Sequence, residues 1–315
     1  MPRSALPFDW LILSALVVAW GSSFAMTKVA VTHLDAAWVM ALRLSVAGLV
    51  LAAVVVLSKR QLPWDMKLWG WFAWLGLIGH AAPFFLITWG THYVTSGLSG
   101  VLMGAVPIFV IVLAHFFLPD EPLTPVKTAG FILGFIGLMI VLGPEKLLHL
   151  SAGGMSLGGE IAIIAGCMCY AVHGLFARRI PFRGPIEQAT AVCLMGGAMG
   201  LIFAVIVAPS GLAGAPSSAY FAVLGLGLLP TAIATLLMYR LVRDAGVTFI
   251  AYSNYLVPVY ALIFGAVTLG EELTWNVGAG LAFILAGIAV SRVRSRGAPQ
   301  GASLSPAAPD CGEGV

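Results

Sequence analysis

Few side chains in this 315-residue sequence could do chemistry near neutral pH, and those that could lie among apolar residues. Arg43 falls about six residues inside a hydrophobic run, where a guanidinium costs ~2.5 to 3.5 kcal/mol even on lenient insertion scales. It must face protein or water. There it would either hold a carboxylate through its planar fork or bond helix carbonyls and lock its own run, 37 to 57 (helix 2), to the run at 10 to 30 (helix 1). His80 and His173 lie in similar runs, with His115 nearer a helix end. An imidazole there suits proton exchange near neutrality, or serves as a hydrogen-bonded packing residue. The acidic pairs Asp120-Glu121 and Glu271-Glu272 have no complementary acid or base beside them. Carboxylates so placed suit the positive starts of helices 5 and 10.

A second set is defined by depth. At ~1.5 Å per residue, Trp20, His80, Met103, Tyr170 and Pro230 each lie roughly ten residues from a helix end, near the middle of a bilayer. Pro107 and Pro258 interrupt helix 4 (the run 95 to 118) and helix 9 (247 to 268) near their centres. Each lacks a backbone donor and clashes with the carbonyl four residues back, those of Met103 and Asn254, freeing them for polar cargo or water. The alternative is a simple kink. Trp20 and Tyr170 would supply walls, Ser23, His80 and Asn254 polar contacts, Tyr255 a border beside Asn254, and Pro107 and Pro258 the bending points. Lys28 and Arg178 read as anchors at the membrane faces, with gating as a second role.

The elements that must carry these residues follow from composition. With 60% hydrophobic and 9% charged residues, the chain has more apolar surface than a soluble core of this length could bury. A hydrocarbon layer about 30 Å thick takes roughly 20 apolar residues per helix. The sequence offers such runs at 10 to 30, 37 to 57, 68 to 89, 95 to 118, 126 to 143, 158 to 178, 187 to 208, 219 to 239, 247 to 268 and 275 to 291. No run alternates as a barrel strand does, so the predicted fold is all-α with ten transmembrane helices.

One constant offset carries Trp20 to Tyr170, Lys28 to Arg178, Trp89 to Tyr239, Glu121 to Glu271, Leu123-Thr124 to Leu273-Thr274, Gly130 to Gly280 and Gly137 to Gly287. The chain is therefore two five-helix repeats. Five is odd, so the second repeat enters the membrane in the opposite sense and the pair is inverted. The expected organisation is a short cytoplasmic amino terminus at 1–9, a first repeat at 10–143, an outer linker at 144–157, a second repeat at 158–291 and a disordered tail at 292–315.

With the amino terminus cytoplasmic, inside segments carry Arg3, Lys59, Arg60, Lys67, Lys127, Arg178, Arg179, Arg183, Arg240, Arg243, Arg292, Arg294 and Arg296. Outside segments carry Lys28 and Lys146. The positive-inside rule then places both termini in the cytoplasm and the chain in the inner membrane. The net charge of +3 is topological and suggests no nucleic-acid partner. Cys167, Cys169, Cys193 and Cys311 indicate neither a disulfide framework nor a metal cluster. There is no Walker-type phosphate loop, so direct ATP hydrolysis is not expected, and neither a cofactor nor a metal is expected. Small-residue steps at Gly130 and Gly134, and at Ser96, Gly100 and Gly104, allow close helix approach. Packing within the monomer is the default use, a homodimer contact the alternative.

Trp20-Gly21-Ser22-Ser23-Phe24 with Lys28, then Arg43, Pro107, Asp120-Glu121-Pro122-Leu123-Thr124, Gly130 and Gly137 form an ordered series. Gly246, Pro258, Glu271-Glu272-Leu273-Thr274, Gly280 and Gly287 repeat it. This pattern resembles the drug/metabolite transporter superfamily, specifically its EamA-type ten-helix permeases, over residues 10 to 291. The resemblance implies secondary transport of a small-molecule substrate across the lipid bilayer, often an amino acid or related compound, usually outward and commonly exchanged against protons. The chain departs from a strict doubling at Tyr170-Ala171, where the first half has Trp20-Gly21.

Two rivals come from other classes. Gly97-Leu98-Ser99-Gly100 matches the G-x-S-G string of rhomboid-type intramembrane serine proteases, with His173 as the available base. Helix rise puts Ser99 and His173 on the order of 15 Å apart in depth, where a nucleophile and its base must come within ~3 Å. A passive channel would share the helices and the cavity but show no counterflow.

Overall fold

The computed structural model describes residues 6–117, 124–142, 154–177, 179–181, 184–212, 214–250 and 252–291. Among them lie α1 (Pro7–Val31), α2 (Ala36–Leu57), α3 (Met66–Tyr93), α4 (Ser96–Phe117), α5 (Pro125–Leu142), α6 (Gly154–Ala177), α7 (Pro185–Val207), α8 (Ser217–Ala245), α9 (Ser253–Leu269) and α10 (Trp275–Ser291). Seven are long and apolar enough to cross a membrane outright, and shorter apolar helices complete the set at α5, α9 and α10. The described residues contain no strand. Lipid offers no backbone partner, so apolar runs of this length satisfy themselves as helices. Their starts are set locally: Asp35 accepts from the Ala37 amide at 2.8 Å, Asp65 from Lys67 at 2.9 Å and Thr95 from Leu98 at 3.2 Å.

The two halves run in opposite senses. Matched helices α2 and α7 lie side by side: Gly48 meets Cys193 and Leu194, Gly197 meets Leu44 and Ser45, and Gly200 meets Met40 and Ala41. Numbers fall along one helix as they rise along the other. The matched pair α5 and α10 behaves the same way, with Gly280 against Val141, Gly137 against Ile284 and Gly287 against Gly134. Helices related by a symmetry axis in the membrane plane must cross antiparallel where they touch, as these do. Glycine at these contacts lets backbones approach within side-chain radius. The small-residue steps foreseen from sequence are filled within the monomer, since Gly100 packs on Ala261, Gly104 on Ile284 and Gly134 on Ile108.

The repeat also shows in the backbone. Helix α3 widens to a π turn at Leu77–Ala81, and α8 does so at Gly227–Ile233, starting at matched positions of the two halves. A π turn inserts a residue into the helical ladder and re-aims the side chains after it. In α4, a 3-10 stretch at Met103–Ala105 precedes Pro107, and the Val106 amide bonds the Met103 carbonyl. That carbonyl, expected to be freed by Pro107, thus has a partner three residues on instead of four.

Some boundaries differ from the sequence reading. Helix α8 runs past Tyr239 to Ala245 because its stop is Gly246, whose φ of +88° only glycine adopts easily. Helix α9 starts at Ser253, not at 247, since a separate turn at Val247–Ile250 precedes it. Glu271 lies before α10, yet it caps α4: its carboxylate accepts from the Ser96 and Gly97 amides at 2.6 and 2.8 Å and from the Ser96 hydroxyl at 3.0 Å. Asp120, Glu121, Lys146, Arg178, Arg183, most of the linker at 144–157 and the tail at 292–315 lie outside the described residues.

Candidate functional site

A cavity of about 440 Å³ lies between the halves, lined from α1, α2, α3, α4, α6, α8 and α9. Trp20, Ser23, Arg43, His80, Met103, Tyr170, His173 and Asn254 all border it, as do Pro107 and Pro258. Tyr255 does not; it packs against the core around Leu102, Ile163 and Ile284, one position round the helix from Asn254.

Trp20 is pinned by its indole N–H, which donates to the Pro230 carbonyl at 3.2 Å inside the α8 π turn. The Ser23 hydroxyl donates to the Trp20 carbonyl at 2.6 Å and Thr27 to the Ser23 carbonyl at 2.7 Å. Ser23 therefore offers the cavity an acceptor oxygen, its proton being used within the helix.

Across the cavity, His80 stands edge-on to His173 at 5.8 Å and to Phe84 at 5.8 Å, and Phe84 edge-on to Tyr170 at 6.3 Å. His173 rests directly on Gly79, where no side chain would fit. The Nδ1 atoms of His80 and His173 are buried with no hydrogen-bond partner among the described residues.

Arg43 is held on two sides. Its Nε donates to the Thr231 hydroxyl at 2.9 Å, and its Cζ stands 3.9 Å over the Phe84 ring. Thr231 donates in turn to the Leu226 carbonyl at 2.8 Å, five residues back through the π turn. Among the described lining residues, Arg43 is the sole Arg, Lys, Asp or Glu. Thr231 and Phe84 escaped the sequence reading, although each directly follows a proline, Thr231 after Pro230 within the α8 π turn and Phe84 after Pro83 just beyond the α3 one.

A second cavity of about 490 Å³ lies at the end of the bundle marked by Lys28 and Glu271. Lys28 is bonded back onto the protein. Its ammonium donates to the carbonyls of Thr91, His92 and Val94 at 2.9, 2.9 and 2.7 Å, closing the α3 carboxyl end. Thr27, Thr91, Ser96 and Ser99 are buried at this end, whereas Asn254, near the opposite end of α9, is exposed. Ser99 bonds the Thr95 carbonyl at 3.0 Å and the Thr91 hydroxyl at 3.0 Å. Its partners are thus other than the imidazole that a serine protease would require.

The sequence profile of the EamA-like transporter family matches residues 9–143 and again 157–293. The uncharacterized transporter YoaV of Bacillus subtilis (strain 168) is 25% identical over 87% of this chain and 93% of its own. A protein of Streptantibioticus cattleyicolor named a probable terminal-alkyne amino-acid exporter is 27% identical over 91% of this chain and 94% of its own. One solved crystal structure superposes with a TM-score of 0.63 at 21% identity, covering 92% of this chain and 98% of that one, and so shares the fold.

Proposed function

We propose that the chain, which belongs to the EamA-like transporter family, is a secondary permease that exports a small metabolite, an amino acid or related compound, in exchange for protons. One observation carries this reading: a chamber with polar and aromatic residues between two antiparallel halves, lined by the matched helices α1 and α6, α3 and α8, and α4 and α9. Such a chamber admits solute from either side when one half rocks against the other. Lys28 and Glu271 brace the closed end, and Asn254 lies toward the open one. By the distribution of Lys and Arg, the open end is cytoplasmic, both termini are cytoplasmic and the host is the inner membrane.

In this scheme Trp20 and Tyr170 flank the solute, Met103 and Asn254 contact it, and Pro107 and Pro258 are the bending points. The facing imidazoles of His80 and His173 are the groups placed to exchange a proton with the chamber. The test is flux of an amino-acid panel in reconstituted vesicles, with and without an imposed pH gradient. Flux that follows the gradient and falls in His80→Ala supports coupling through this pair. Gradient-independent flux with no counterflow would make the protein a channel.

A further inference from the structure

We propose that Arg43 is a seat for a carboxylate, and that the chamber selects a monoanion with an aromatic or similarly apolar body over a zwitterion or cation of the same shape. This rests on the permease reading and narrows its solute from amino acids to related carboxylates that carry no ammonium group.

The guanidinium is oriented before any solute arrives. Thr231 fixes its Nε edge and Phe84 one face. Thr231 spends its own proton on Leu226, so its oxygen can only accept from Arg43 at that contact. The terminal Nη groups are left, and no hydrogen bond to them is found among the described residues. An arginine kept only to lock two helices would direct these donors at helix carbonyls or a carboxylate, because a buried charge without a partner is costly. The described wall supplies no Asp or Glu. A counter-charge for the Nη groups can come from what enters the cavity.

Geometry and charge narrow its class. The two parallel Nη donors of a guanidinium match the two oxygens of a carboxylate. A monoanion neutralises the single positive charge, whereas a phosphate dianion brings a second charge with nothing to meet it. The rest of the solute lies against Trp20, Met103 and Tyr170, which suit an apolar body. An ammonium group entering here finds no carboxylate among the described lining residues and is repelled by Arg43.

The probes are 3-phenylpropionate, phenylalanine and phenethylamine, which share one aromatic body and differ in charge. Binding to the purified protein in detergent is measured by equilibrium dialysis at neutral pH. The expected order is 3-phenylpropionate tightest, phenylalanine weaker by about tenfold or more, and phenethylamine weakest. Arg43→Gln should bring the three within about twofold of one another. Arg43→Lys, which keeps the charge and loses the fork, should keep the order with weaker 3-phenylpropionate binding. The wild-type order stands as a test even if a variant does not fold. Equal affinities, the reverse order, or no binding of any probe would overturn the proposal. Counterflow of the same probes in vesicles separates the two readings: ordered binding without flux removes the permease and keeps the seat, and flux without a charge order does the opposite.

Discussion

Lys28 and Glu271 grip the two sides of one tight turn: the ammonium closes the carbonyl end of α3 through Val94 at 2.7 Å, and the carboxylate closes the amide end of α4 through Gly97 at 2.8 Å. Helix ends leave backbone groups without partners, and here a cation from α1 and an anion from the α9–α10 connection bond both ends at once. Each brings α1 or the α9–α10 connection against α3 and α4. Charge-assisted bonds thus tie these elements together at this end of the bundle.

Glu271→Gln keeps the shape and weakens bonds to a charged acceptor, each worth about 1.5 to 3 kcal/mol. In a variant carrying Leu98→Cys as reporter beside this cavity, thiol labelling of the purified protein should speed up by about tenfold or more when Glu271→Gln is added. Unchanged labelling would show that the carboxylate does not hold the end closed.

The antiparallel contact of α5 and α10 leaves no room for a methyl group at Gly137, where an added Cβ would lie 2.7 Å from the Ile284 amide nitrogen and 2.8 Å from the Gly280 carbonyl oxygen. Gly137→Ala should cost about 1 to 3 kcal/mol through overpacking. Gly70→Ala, with open space around it, should be neutral or gain a few tenths through helix propensity. Thermal unfolding in detergent distinguishes the two sites, and equal melting shifts would contradict the contact.

Much of this architecture is legible in the sequence because lipid makes hydrophobic length and charge asymmetry structural signals, and because a constant offset exposes the doubling. Depth along a helix is readable too, so Trp20, His80, Met103, Tyr170 and Pro230 group together from sequence alone. Direction around the helix is not. It separates Asn254 on the cavity wall from its neighbour Tyr255 in the core, and it depends on π turns that no local composition announces. Lys28 and Glu271 were readable as charges near helix ends. Which end each one caps follows from packing between helices far apart in sequence.

Trp20 contributes both a ring and a hydrogen bond to Pro230. Trp20→Phe keeps an aromatic wall and loses the bond, worth about 1 kcal/mol, so flux should fall by roughly fivefold. Trp20→Ala should lower it further while the protein still inserts in the membrane. Wild-type flux in both variants would place the path elsewhere.

Thr231→Val removes the acceptor for Arg43 Nε at constant volume, leaving a buried charged donor unpaired at a cost of about 1 to 3 kcal/mol. Thr231→Ser restores the hydroxyl and should recover most of the lost thermal stability. Equal melting temperatures for the valine and serine variants would show that the bond at 2.9 Å is not formed in the membrane protein.

The most direct test of a chamber that opens to one side at a time is paired thiol accessibility. With Cys167, Cys169, Cys193 and Cys311 replaced, single cysteines at Thr27 and at Asn254 are probed in sealed vesicles with a membrane-impermeant thiosulfonate from each face, with and without transported solute. Reciprocity is expected: solute or a pH gradient that raises labelling at one position lowers it at the other. Rapid labelling of both positions at once, indifferent to solute, would describe an open pore and contradict it.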